Sequence, residues 1–213
     1  MQNLFEGISN KNKEKILKSL EGLPTRFTKG INIISYMNRK NTIGIINSGS
    51  IEISINNYNG DTFLLDELGP NDIFGSVISS SILNKECTII TREETNITFI
   101  DFDNITNKEI VKNDYYIKFI ENFLKIISEQ TTLKNERIEI LIKKTIRDRL
   151  LTYFDMMAKK VGVRTFTIPY SLSFLANYLA TDRSAMMREI KNLNTDGLII
   201  SKGRKIKLMY QKK

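Results

Sequence analysis

Histidine is absent from this chain. That removes His-ligated zinc, His-ligated haem and histidine-based acid–base catalysis from the functions open to it. Cysteine is nearly absent: Cys87 stands alone. One thiol excludes an intramolecular disulfide and any cluster held by four cysteines of one chain. Long apolar runs are missing too. No stretch reaches the roughly eighteen residues a membrane-spanning helix needs, and the start, "MQNLFEGISNKNKEK", has no apolar stretch of signal-peptide kind. The expected location is therefore the cytoplasm, with no membrane partner.

What is present suits a soluble globular protein. With 213 residues, 41% of them hydrophobic and 26% charged, the chain can build a real core in one large domain plus a small one. No internal repeat or low-complexity linker interrupts it. The net charge of +8 is unevenly spread. From Lys143 to Lys213 there are 16 Lys and Arg against 5 Asp and Glu, whereas residues 1–142 hold 16 against 19. The basic excess is thus confined to the last third, as in a terminal nucleic-acid-binding module. A solvated basic tail would be the plainer explanation, but this segment carries apolar periodicity and turn residues, so it is expected to fold.

Residues 4–21 read as a short helical entry, with Leu4, Ile8, Ile16, Leu17 and Leu20 among lysines. Between Thr25 and Phe102 short β-branched runs alternate with turns at Gly49-Ser50, Asn59-Gly60-Asp61 and Gly69-Pro70-Asn71-Asp72. In "SIEISI", Ile51, Ile53 and Ile55 fall on one face. Such runs predict an antiparallel sandwich or barrel, and "NNYNGD" is its clearest hairpin tip.

After Asp103 about forty residues turn helical. One stripe runs Ile117, Ile120, Leu124, Ile127, Thr131, Lys134, Ile138, Leu141 in unbroken 3-4 spacing. A second, Tyr116, Phe119, Phe123, Ile126, lies beside it. Together they form either one wide core-facing surface or two separate ones. The reading adopted is an aromatic stripe packed on the barrel and an aliphatic seam, Ile117, Ile120, Leu124 and Ile127, paired with a twin helix.

Thr145 and Asp148 resemble a capping box that opens a helix with Leu150, Leu151, Phe154 and Met157 apolar. "VGVRTFTIPY" reads as an extended connection, since Pro169 disfavours helix at Ile168. A short helix follows from Ser171 to about Leu179, then a turn at Ala180-Thr181, then a helix over 182–194 with Asp182 as N-cap. "GLIISKGRKIKLMY" closes the chain as two strands around Lys202-Gly203-Arg204.

On the 182–194 helix, Met186, Ile190 and Leu193 fall within an arc of about 60°, which predicts the buried side. Arg183, Ser184, Met187, Arg188 and Lys191 share an arc of about 140° on the other side, while Glu189 points elsewhere. Arginine's planar fork matches guanine O6 and N7, and Arg183 stands in the first turn, where a recognition helix addresses base edges. Lys191, Lys202, Arg204 and Lys205 are placed to meet phosphates.

The stretch "SLSFLANYLATDRSAMMREIKNLNTDGLIISKGRKIKL" resembles the winged helix-turn-helix of the Crp/Fnr transcription regulators of bacteria. Leu175-Ala176, Leu179, Asp182-Arg183-Ser184, Arg188-Glu189, Leu193 and Gly197-Leu198-Ile199 carry the likeness. "NSGSIEISI…NGDTFLLDELGPNDIFG" is similar to the family's β-roll, with Gly49, Gly60, Asp72 and Gly75 at its turns. The resemblance implies an α+β chain in three parts. These are an antiparallel β-roll (jelly-roll, cyclic-nucleotide-binding-like) over 1–106, a dimerisation helix and hinge over 107–142, and a winged helix-turn-helix over 143–213. It further implies a homodimer that binds near-palindromic double-stranded DNA, with RNA polymerase as a candidate partner. By position Arg183, Ser184 and Arg188 match the base-contacting residues, and Ser171, Thr181 and Met187 join the expected DNA contacts. Ala180 stands where relatives often have glycine.

The sensor half departs from the family pattern. Cyclic-nucleotide-binding members have a glutamate after the glycine matching Gly75, then an Arg-Ser pair about ten residues on. Here Ser76 takes the first place and Glu86 or Cys87 the arginine's, so cyclic AMP is not the expected effector. The iron–sulfur branch needs more cysteines, and the carbon-monoxide branch needs a haem-ligating histidine. An unknown small molecule, a redox event at Cys87, or no effector remain. A pocket, if present, is expected around Gly75, Ser76, Cys87, Thr88 and Thr131, with no cofactor. Without histidine a catalytic barrel metal is set aside, and no enzymatic activity is expected. The alternative function is a cyclic-nucleotide-binding regulatory module that acts on a protein partner.

Overall fold

The run Thr42–Ile46 is buried at every residue instead of at alternate ones, as in a strand covered on both faces. The computed structural model describes residues 3–37, 41–56, 62–75, 86–106 and 113–210 and gives that covering. Strand β1 is Leu23–Phe27, β2 Thr42–Ser48, β3 Ile51–Asn56, β4 Thr62–Leu68, β5 Ile73–Gly75, β6 Cys87–Thr91 and β7 Thr95–Asp101. All pairings are antiparallel, in two sheets ordered β1-β7-β2-β5 and β4-β3-β6. Between them lies a core to which Phe27, Ile46, Phe74, Ile97 and Phe99 contribute from one sheet, and Ile51, Ile53, Leu68, Cys87 and Ile89 from the other. A second core joins Ile43, Ile45 and Ile73 of the four-stranded sheet to Ile16, Leu20, Tyr116, Phe119, Phe123 and Ile126. The four-stranded sheet is therefore packed on both sides.

The helices supplying that second core are α1, Asn10–Ser19, and α2, Asp114–Leu141. The helical entry expected from residue 4 is shorter than its apolar pattern: Ser9 caps α1, and Leu4 is buried ahead of it. The helix expected just after Asp103 begins at Asp114, preceded by a 3-10 turn over Phe102–Thr106. The aromatic stripe is buried as expected. β1 and the three-residue β5 were not separable from their surroundings in the sequence. Ile51 and Ile53 face the core, with Ile55 packed against it. Residues 57–61 of the "NNYNGD" tip lie outside the described residues, but the strands either side pair antiparallel, Asn56 opposite Thr62.

The chain divides into two compact units, Met1–Thr131 and Thr132–Lys213. In the second, α3 is Ile146–Val161, β8 Thr165–Thr167, α4 Leu172–Tyr178, α5 Arg183–Thr195, β9 Ile199–Lys202 and β10 Lys205–Leu208. Thr145 caps α3 by accepting from the Asp148 N–H at 3.0 Å, and its hydroxyl donates to Asp148 Oδ2 at 2.7 Å. The stretch read as an extended connection contains β8, a third strand that pairs with β10 through Phe166 opposite Ile206. Leu150, Phe154, Phe166, Leu175, Leu179, Met186, Ile190, Leu193 and Ile206 form this unit's core. Among the described residues no helix is long and apolar enough to cross a membrane.

Asn122 fastens the N-terminal segment to α2: its buried Nδ2 donates to Leu4 O at 3.1 Å and to Glu6 O at 2.9 Å. Asn122→Ala leaves these carbonyls without the amide and is expected to cost about 1–3 kcal/mol. Urea unfolding measures it, and faster hydrogen exchange confined to residues 4–8 would mark the same loss.

Candidate nucleic-acid interface

Helices α4 and α5 are both started by side-chain caps. Ser171 Oγ accepts from the Phe174 N–H at 3.1 Å, and Asp182 Oδ1 accepts from the Ala185 N–H at 2.9 Å. Four residues, Leu179 to Asp182, join them, closed by Thr181 N–H to Ala176 O at 3.0 Å. The turn requires Ala180 at φ 47°, the left-handed region that glycine enters without strain and alanine does not. This is where the sequence departs from the glycine common in the family pattern.

The helical phase places α5 as the sequence predicts. Met186, Ile190 and Leu193 are buried, while Arg183, Ser184, Met187, Arg188 and Lys191 are exposed. Glu189 lies off that face, 3.3 Å from Arg147 and bonded by Asn192 at 3.0 Å. Thr181 is half-buried in the turn, and Ser171 is exposed beside its cap bond. Lys202, Arg204 and Lys205 stand exposed at the β9–β10 turn, where Gly203 takes φ 58°. Arg204 also makes long contacts to Tyr170 O at 3.4 Å and Pro169 O at 3.5 Å, so the wing tip leans on the start of α4.

Charge is sorted as sharply as position. Each of the five acids after residue 142 has an internal task. Asp148 takes the Thr145 hydroxyl, Asp155 takes that of Tyr210 at 2.9 Å, Asp182 caps α5, and Glu189 and Asp196 both pair with Arg147. Among the described residues Arg183, Arg188, Lys191, Lys202, Lys205 and Lys207 form no ion pair. Lys202 and Lys205 even sit directly opposite one another across β9 and β10. Facing like charges disfavour a strand pair, and such conflicts are expected where function imposes them.

Three arginines that sequence reasoning passed over hold the helix-turn-helix together. Arg149 donates through Nη1 to Leu179 O and Ala180 O, both at 3.1 Å, and through Nε to Lys143 O at 3.0 Å. Arg137 donates to Tyr178 O at 3.2 Å, with its guanidinium 5.1 Å from the Tyr178 ring centre. Arg147 ties α3 to the far half of α5. Their only sequence signal is charge next to apolar positions on α2 and α3, which solvated residues share.

Of the five residues expected around an effector, four are described. Gly75 lies in β5, where a Cβ would come within 2.4 Å of Thr42 O, so strand packing alone demands glycine. Cys87 is 3% exposed in the core between the sheets, and burial pushes its thiol pKa up. Thr88, the next residue on β6, faces the other way and shares a 2.9 Å hydroxyl contact with Ser54. Thr131 is exposed and bonds back to Ile127 O at 2.8 Å. Ser76 lies outside the described residues. A cleft of about 380 Å³ in this unit is lined by Leu23, Tyr36, Thr42, Phe99 and Asp101 among others, and none of the four described residues is in that lining.

No protein-family model and no curated protein matches the chain. Solved structures do. A mutant of CooA from Carboxydothermus hydrogenoformans is 20% identical, with 98% of this chain and 92% of that one covered at a TM-score of 0.68. CprK in complex with OCPA is 17% identical, with 92% of each chain covered at 0.65. The c-di-GMP-responsive global regulator Clp of Xanthomonas campestris is 16% identical, with 95% and 100% covered at 0.57. The fold is thus an antiparallel β-roll, a long helix and a winged helix-turn-helix. It is the fold implied by the resemblance to Crp/Fnr regulators.

Replacing Ala180 by glycine removes the left-handed strain, partly offset by the freer unfolded chain. The expected result of Ala180→Gly is a gain of about 0.5–1 kcal/mol in chemical denaturation. A loss of stability there would mean that the turn is not held as described.

Proposed function

We propose that the chain is a Crp/Fnr-type transcription regulator, a homodimer that reads a near-palindromic double-stranded DNA site with one α5 per half-site. The observation that carries this reading is the face of α5. Arg183, Ser184, Arg188 and Lys191 are exposed there with no ion pair among the described residues, on a helix clamped from behind and beside a wing of facing lysines. Arg183 and Arg188 supply base-edge forks, while Lys191, Lys202 and Lys205 meet phosphates. Half-sites one helical turn apart, about 34 Å, would seat both helices in successive major grooves.

Dimerisation is supported by the aliphatic seam of α2. Ile117 is 49% exposed and Leu124 60%, with Ile120 and Ile127 half-buried, at the spacing of a two-stranded coiled coil. Cyclic AMP is not the effector proposed, because Glu86 or Cys87 replaces the arginine a cyclic phosphate would need.

Arg183→Ala is expected to weaken binding to the selected site by about 1–3 kcal/mol and to relax preference at one base pair per half-site. Random DNA should lose almost nothing, and both should weaken steeply with salt as counterions are released. Equal losses on specific and random DNA would remove Arg183 from base reading, and salt-insensitive binding would favour a module acting on a protein partner. For the seam, Leu124→Glu is expected to give a folded monomer in sedimentation velocity. A persistent dimer would place the interface elsewhere.

A further inference from the structure

Two adjacent methionines on α5 have opposite surroundings. Met186 is fully buried in the core of the C-terminal unit, whereas Met187 stands outside that core with 38% of its surface accessible. Met187 is the one large apolar residue of α5 left exposed. Helix formation does not require it, since arginine, lysine and glutamine have nearly the same propensity and carry polar groups that suit water. Single apolar residues are common on protein surfaces, so position decides. Arg183 lies four residues before Met187 and Lys191 four after it, on one ridge of the helix. In helical projection Met187 falls about 40° from Arg183 and about 100° from Arg188. The thioether is thus set inside the cationic face, not at its border, among three cations that form no ion pair among the described residues.

The major-groove edge of a duplex offers such a side chain one apolar group, the C5-methyl of thymine. Methionine is unbranched and flexible, so it can settle on a methyl group. An amino group of cytosine or adenine at the same place would lose water against a thioether, which accepts hydrogen bonds only weakly. Four helical residues advance about 6 Å and base pairs stack at about 3.4 Å, so Arg183 and Met187 address base pairs about two steps apart.

We propose that Met187 is a specificity-determining residue that packs on the C5-methyl of a thymine in each half-site, close to the guanine taken by Arg183. This rests on the reading of α5 as a DNA recognition helix and adds an apolar contact to its polar ones.

The full chain is used to select a preferred site from a pool of random-sequence duplexes. Each thymine of that site is then replaced in turn by deoxyuridine, which lacks only the C5-methyl, and fluorescence anisotropy measures the affinities. One thymine per half-site, near the base pair relaxed in Arg183→Ala, is expected to cost the wild-type protein about three- to fivefold on replacement, the worth of one buried methyl-sized group. Met187→Ala should bind the thymine site more weakly by the same factor and be indifferent to deoxyuridine at that position. Arg183→Ala should keep the sensitivity to deoxyuridine. The replacement series needs only the wild-type protein, so it remains decisive if Met187→Ala fails to fold. A preferred site with no sensitive thymine overturns the methyl contact and leaves the recognition helix standing, as does a sensitivity that survives undiminished in Met187→Ala. If no preferred site emerges from the pool, the DNA-reading role of α5 falls and this proposal falls with it.

Discussion

The guanidinium of Arg149 holds the point at which the C-terminal unit changes direction. Carbonyls at the end of a helix carry partial negative charge and lack intrahelical partners. At the end of α4 those of Leu179 and Ala180 are taken by Arg149, and that of Tyr178 by Arg137. Only with these groups satisfied can the chain pass through a left-handed alanine and leave as α5. Arg147 then pins the second half of α5 to α3 through Glu189 and Asp196. The outward face of α5 inherits its direction from contacts on its inward side.

The N-terminal unit obeys a different constraint. Its four-stranded sheet has no solvent face to spare, since one side meets the second sheet and the other meets α1 and the aromatic stripe of α2. Aliphatic and aromatic side chains fill the space between the sheets, and Cys87 belongs to that filling. Burial disfavours its thiolate, the form that redox chemistry and metal binding use. The geometry argues for the cysteine as a small core residue.

Legibility followed the range of the interactions. The phase of α5, its Asp182 cap, the Ser171 cap and the two stripes of α2 are set within a few residues of chain, and periodicity found them. β8 escaped because three residues between a glycine and a proline become a strand only by pairing with β10, some forty residues later. Arg149 escaped for the same reason: its partners in the turn after α4 lie 30 and 31 residues away. The effector residues were chosen by likeness to a family pattern, and no local rule of packing tied them together. The four described ones, Gly75, Cys87, Thr88 and Thr131, lie at a sheet edge, on two strand faces and at an exposed helix position.

The wing carries one more implication. Lys202 and Lys205 face each other across a two-residue turn with Arg204 between them, and no acid among the described residues is paired with either lysine. In the free protein the hairpin is folded against its own electrostatic field, held by Ile206 beneath and by β8 alongside. A polyanion laid along it supplies the missing counter-charge. Any phosphate backbone, whatever its sequence, would therefore act on this unit as a structural salt, tightening the wing in the act of being held.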